Sequence, residues 1–184
     1  MLRDIAFACG VARVPAVLPV GVYYANYAQP TGENLQRLIW LSDDDAAKSR
    51  YDLGERVAEA VGLPLVSPQR NCHFLVSEAL YKSGDLGIFC ALINTPYAAL
   101  EALAAGAPVL GTETGIFADM AESGGVGPLP FEADALVANA VEVIRALQNN
   151  PELYQRMSYA AATVGREYDW AVLRQPWLEF LQSL

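Results

Sequence analysis

The chain has 184 residues, enough for one domain with a substantial core and too few for two full-sized α/β domains. A formal net charge of -9 repels phosphate backbones, and the arginines are scattered rather than gathered in a stripe, so no nucleic acid partner is expected. Hydrophobic residues make up 53% of the sequence, much of it alanine, which suits helices packed closely on a sheet rather than a membrane bundle. The longest apolar stretch, Ile5 to Tyr24, carries Arg13, Pro15 and Pro19, which interrupt a spanning helix, so no transmembrane segment is expected. Asp4 and the brevity of the apolar run after it argue against a secretory leader, and a cytoplasmic location is the expectation. Cys9, Cys72 and Cys90 lack the paired spacing of a zinc or redox site and read as buried free thiols. His73 is the single histidine, which leaves a metal centre or a histidine-based triad little to draw on.

In chain order, the run Ala16 to Tyr23 leads into an irregular segment, Ala28 to Asn34, punctuated by proline, glycine and asparagine. Residues 1–34 are read as an N-terminal segment and linker, and 35–184 as the regular domain. Leu38 to Leu41 is a short strand; Ser42 and Asp43 to Asp45 then supply capping chemistry for a helix from about Ala46 to Val61. Leu63 to Val66 reads as a second strand, and His73 to Lys82 has helical spacing stopped by Ser83-Gly84. Leu86 to Leu92 is a continuous apolar run of the kind found in a parallel sheet covered on both faces. Thr95-Pro96 starts a helix that Gly106 ends, and Pro108 to Leu110 is the next strand. Thr114 to Glu122 reads as a short helix, followed by three longer ones: Ala133 to Gln148, Pro151 to Tyr168, and Trp170 to Leu184. Trp177 and Phe180 in the last are read as core contacts, with a docking face as the alternative. The alternation predicts an α/β fold, a Rossmann-like doubly wound parallel sheet with extra C-terminal helices.

Ligands of such sheets bind at the carboxyl ends of the strands, where helix N-termini offer unpaired amides. The loop from Leu92 to Tyr97 is therefore the first candidate. The helix it opens carries one charge, Glu101, on an otherwise apolar surface, and an unpaired buried carboxylate is costly. Glu101 is expected to face water, a partner or a ligand, with Tyr97 one turn earlier on the same face. An ion pair with an arginine is the alternative.

The segment Pro96-Tyr-Ala-Ala-Leu-Glu-Ala-Leu-Ala-Ala-Gly-Ala-Pro-Val109, followed by Thr112-Glu-Thr-Gly115, resembles the donor-site signature of retaining GT-B glycosyltransferases. The similarity extends through Tyr81 to Phe89 before it and Asn150 to Met157 after it, and Tyr168-Asp-Trp170 resembles the step before the family's last helix. About Arg37 to Leu184 is covered. Leu18 to Val22 resembles the end of the family's acceptor domain, so the chain corresponds to the C-terminal, donor-binding half. The resemblance implies a nucleotide-sugar donor as substrate, no metal and no further cofactor, and an acceptor domain supplied by another chain or by a homo-oligomer. It places Glu101 on the ribose hydroxyls. It places Thr95, Tyr97 and Ala98 at the helix start facing the donor diphosphate, Gly115 and Ile116 in the turn beside the donor sugar or phosphate, and Lys48 near the usual diphosphate-binding lysine.

Two positions depart from the pattern. Ile93 stands where the family has the glutamate that contacts the donor sugar, and a branched alkyl group cannot replace its hydrogen bonds. Ser42-Asp43 falls on the family's Gly-Arg turn, and Asp43 repels a diphosphate, with Arg50 or Lys48 as the nearby compensating cations. Which groups, if any, are catalytic stays unassigned. Two readings are carried: retaining glycosyl transfer by a split enzyme, and a non-catalytic glycosyltransferase-like binding or structural module. A sugar-nucleotide epimerase half ranks behind both.

Overall fold

The computed structural model describes residues 20–30, 32–41, 50–67, 81–82, 84–89, 97–112, 117 and 120–182. In the first regular strand, β1 (Arg37–Trp40), successive side chains point to opposite sides. Leu38 and Trp40 join one buried cluster, while Ile39 and, just past the strand, Leu41 join another. A strand apolar on both faces has to be covered on both, and the later elements do so. Four more strands, β2 (Leu65–Val66), β3 (Asp85–Phe89), β4 (Val109–Thr112) and β5 (Val126–Leu129), complete a sheet in the order β2-β1-β3-β4-β5. Every pairing is parallel, with Arg37 opposite Asp85, Gly87 opposite Val109 and Val109 opposite Val126.

Helices fill both faces. Before the sheet lies the single turn α1 (Tyr24–Tyr27); between strands run α2 (Tyr51–Val61) and α3 (Tyr97–Ala104); after β5 come α4 (Ala133–Asn149), α5 (Pro151–Glu167) and α6 (Trp170–Gln182). Leu53 and Val57 of α2 and Leu136, Ala140 and Ile144 of α4 pack on Leu38, Trp40, Leu86, Ile88 and Leu110. On the other face α3 and α5 pack together over Ile39, Val109 and Val126. Helices on both faces of an all-parallel sheet make the fold doubly wound and Rossmann-like, as the alternating pattern predicts.

The α3–α5 contact depends on one small residue. A Cβ at Gly165 would lie 2.5 Å from Ala104 Cα and 2.6 Å from its nitrogen, so the two backbones meet where no side chain fits. Gly106, at φ +77°, closes α3: its amide donates to Leu103 and that of Ala107 to Ala102, a left-handed turn that capping carbonyls require and glycine adopts without strain.

At the amino ends of the strands, the Arg37 guanidinium holds both oxygens of the buried Asp85 carboxylate, with Nη2 to Oδ2 at 2.8 Å. This contact raises the Arg37 pKa further above its ordinary value. The Lys82 amide donates to Asp85 Oδ2 at 2.7 Å, and the buried Tyr154 hydroxyl donates to the Asp85 carbonyl at 2.7 Å.

The described residues before Leu35 are bonded to the sheet-bearing part through Val22 and Gly32. Val22 forms a parallel bridge to Asp169, its amide donating to Tyr168 O at 2.8 Å and its carbonyl accepting from the Trp170 amide at 3.0 Å. The Gly32 amide donates to Ser158 Oγ at 2.8 Å, and that hydroxyl donates to Gly106 O at 2.7 Å.

Several elements differ from the sequence reading. The strand β5 was not expected, because Gly127 and Pro128 punctuate it. Proline has no amide to donate, and β5 lies at the end of the strand order, where pairing on one side only tolerates it. Tyr81 and Lys82 are not helical, and the rest of the helix expected at His73 to Lys82 lies outside the described residues. Of the helix expected at Thr114 to Glu122, the described Phe117 and Met120 are α-helical, and Ala121–Ser123 is a 3-10 turn closed by Gly124. Trp177 and Phe180 are half-buried rather than core, and none of α6 among the described residues is buried, with Val172, Leu178 and Leu181 exposed. Helix α6 continues through Pro176. Cys9, Cys72, Cys90 and His73 lie outside the described residues. No helix among the described residues is long and apolar enough to cross a membrane.

Candidate functional site

In the order β2-β1-β3-β4-β5 the chain moves to one side from β1 and then crosses to the other, so the switch in direction falls between β1 and β3. Parallel sheets of this kind offer a crevice beyond the carboxyl ends of those two strands. Helix α3 begins at this edge, shortly after β3 ends. Two buried donors belong to the same edge, Trp40 Nε1 at the end of β1 and Ser67 Oγ just past β2. Neither has a hydrogen-bond partner among the described residues.

Helix α3 is nearly all buried, through Ala99, Leu100, Ala102, Leu103 and Ala104. Its remaining strip holds Tyr97, 55% exposed, then Ala98 and Glu101, both half-buried. The structure thus brings together three of the residues that sequence reasoning placed in the donor site, on one open strip of the helix. The spacing explains it, since positions four apart share a face.

Glu101 is not in bulk water. The Tyr27 hydroxyl donates to its Oε1 at 2.9 Å. Tyr27 itself is buried, its ring edge-on to Tyr81 with centroids 6.1 Å apart. From the sequence, Glu101 is expected to face water, a partner or a ligand, with an arginine as the alternative, and this tyrosine is not anticipated. Nothing in local spacing links positions 74 residues apart. The one available signal was the run Tyr23-Tyr24-Ala-Asn-Tyr27, too aromatic for a solvated linker.

Around the carboxylate, the segment bearing Tyr27 is held from several sides. Gln29 Nε2 donates to Tyr81 O at 2.6 Å, and the Arg166 guanidinium lies 5.4 Å from the Tyr24 ring centroid. Hydrogen bonding to Tyr24, with the Coulombic contribution of the same group, raises the Arg166 pKa.

Of the other expected site residues, Thr95, Gly115, Ile116 and Lys48 lie outside the described residues, as do the departures Ile93 and Asp43. Arg50 is described and has a role of its own. It takes a left-handed conformation at φ 49° before α2, donates from Nη1 to Phe131 O at 2.6 Å and stacks over the Phe131 ring at 5.2 Å. Its guanidinium therefore joins the starts of α2 and α4. The next residue, Glu132, caps α4 by accepting from the Asp134 and Ala135 amides, and these bonds hold its pKa below the usual carboxylate value. No group of three or more histidine, cysteine or acidic side chains among the described residues could hold a metal ion. No protein-family model matches the chain, and no curated protein matches it.

Proposed function

We propose that this chain is a nucleotide-sugar-binding domain of the retaining GT-B glycosyltransferase type, with Glu101 accepting hydrogen bonds from the ribose hydroxyls of the donor. One observation carries the reading: the single charge of a buried helix sits on its open strip, on the element that follows the switch-point strand β3. A carboxylate suits a cis-diol because it accepts from both hydroxyls at once. The amides that open α3, together with Lys48, would carry the diphosphate charge, and transfer would rest on positioning and electrostatics rather than on a protein nucleophile. The acceptor side would come from a further domain, in another chain or a second copy. The second reading, a binding module without transfer, is favoured by Ile93 and Asp43, which remove a donor-sugar contact and add a charge of the wrong sign.

Calorimetric titration with uridine, guanosine and adenosine diphosphates, repeated on Glu101→Gln, tests the site. Selective binding of one nucleotide, weakened about tenfold or more in the variant, is the expected result. A folded protein that binds none of them, or a variant that binds as well as the parent, removes the donor-site assignment. Release of sugar from the matching nucleotide sugar then separates transferase from module.

A further inference from the structure

We propose that Tyr27 is a positioning residue for Glu101, fixing the carboxylate in the orientation that a ribose diol requires; the inference rests on the nucleotide-binding reading of this site. The two side chains come from segments distant in sequence, yet the hydroxyl reaches Oε1 at 2.9 Å. Glutamate has three rotatable side-chain bonds, and each hydrogen bond it accepts narrows the rotamers it occupies. Tyr27 is a suitable partner because it is itself immobilised. Its ring is buried against Tyr81, Gln29 two residues on is bonded to the Tyr81 carbonyl, and Val22 and Gly32 anchor the segment on either side.

Chemistry permits the contact and the ligand together. A carboxylate offers about four acceptor positions, so a bond accepted from a phenol is compatible with two accepted from a diol. A phenol also donates, whereas a diol-binding carboxylate needs its lone pairs aimed outward. Donation into one side of Oε1 therefore selects a rotation of the carboxylate instead of competing for it. Recognition of the ribose thus depends on residues 20–34 as well as on α3, and that segment becomes part of the site rather than a spacer beside it.

Tyr27→Phe removes the hydroxyl and keeps the ring against Tyr81, so the fold is retained; circular dichroism and thermal melting check this. The measurement is the dissociation constant of each variant for the preferred nucleoside diphosphate and for its 2′-deoxy counterpart. In the parent the ribonucleotide binds more tightly. In Tyr27→Phe, ribonucleotide affinity is expected to fall about five- to tenfold while the deoxy form changes little, so the preference shrinks. Equal weakening of both forms would indicate a merely structural role and overturn the proposal. Parent-like binding of both by Tyr27→Phe, with Glu101→Gln still defective, would also overturn it while leaving the donor site standing. Absence of any Glu101-dependent nucleotide binding would overturn both.

Discussion

At the scale of single residues, the polar group around Asp85 shows how a buried network sets a pH limit. Tyr154 is fully buried and donates to the Asp85 carbonyl, and burial, followed by the Asp85 charge, pushes its pKa well above the usual tyrosine value. The unfolded chain releases that proton at about pH 10, whereas the folded protein keeps it to higher pH. Above that point the folded state binds more protons than the unfolded one, so this contribution is full below pH 10 and is lost as pH rises further. Tyr154→Phe should cost about 1–2 kcal/mol near neutrality through the lost hydrogen bond. Urea denaturation at neutral pH and again above pH 10 should show the gap between parent and variant narrowing in alkali. A gap that widens instead would mean that the hydroxyl ionises in place. Arg37 sets no limit in this range, since its pKa is raised from a value already far above neutral.

Among elements, the closest fit is between α3 and α5. Alanine exceeds glycine in helix propensity by about 1 kcal/mol, so Gly165→Ala at an open helical position would stabilise. Here the new methyl would meet Ala104 backbone at 2.5 Å, and backbone cannot rotate away. The expected net result is a loss of about 2–3 kcal/mol by thermal or urea unfolding, and a net gain would show that the helices separate freely. Because α3 carries Glu101, the nucleotide binding proposed for this site is expected to weaken with it. Elements whose local chemistry agrees with their place were legible in the sequence. The start at Pro151 with Asn150 accepting from the Leu153 amide, the stop at Gly106 and the apolar run of β3 are of this kind. The strand β5 was not, since Gly127 and Pro128 read as loop until the neighbouring strand β4 supplies the pairing. The exposure of α6 was hidden for the opposite reason: Trp177 and Phe180 have the composition of core, and burial depends on what stands opposite.

For the molecule as a whole, the pattern of apolar runs revealed the doubly wound layers, because periodicity records which faces are covered. It singled out Glu101 for the same reason, as the one charge on a helix that is otherwise apolar. It could not reveal Tyr27, whose relation to Glu101 exists only once the turn Tyr24–Tyr27 has packed on α3. A fragment beginning at Leu35 would lose Val22, Tyr27 and the Gly32–Ser158 bond together. Its melting temperature should drop by several degrees for each kcal/mol of packing removed, and hydrogen exchange in α3 should quicken. An unchanged melting temperature would mean that the segment merely rests on the surface.

The bond from Gly32 to Ser158 joins positions 126 residues apart, and the Val22 bridge reaches Asp169. A ribosome delivers the chain from one end only, so Val22 and Tyr27 leave it long before the residues that anchor their segment exist. Val22 and Gly32 therefore wait for Asp169 and Ser158 before their contacts can close, and closing so long a loop costs entropy. A chain short of α5 and the start of α6 would lack the Val22 and Gly32 anchors and keep the contacts of Tyr27 and Gln29 with Tyr81.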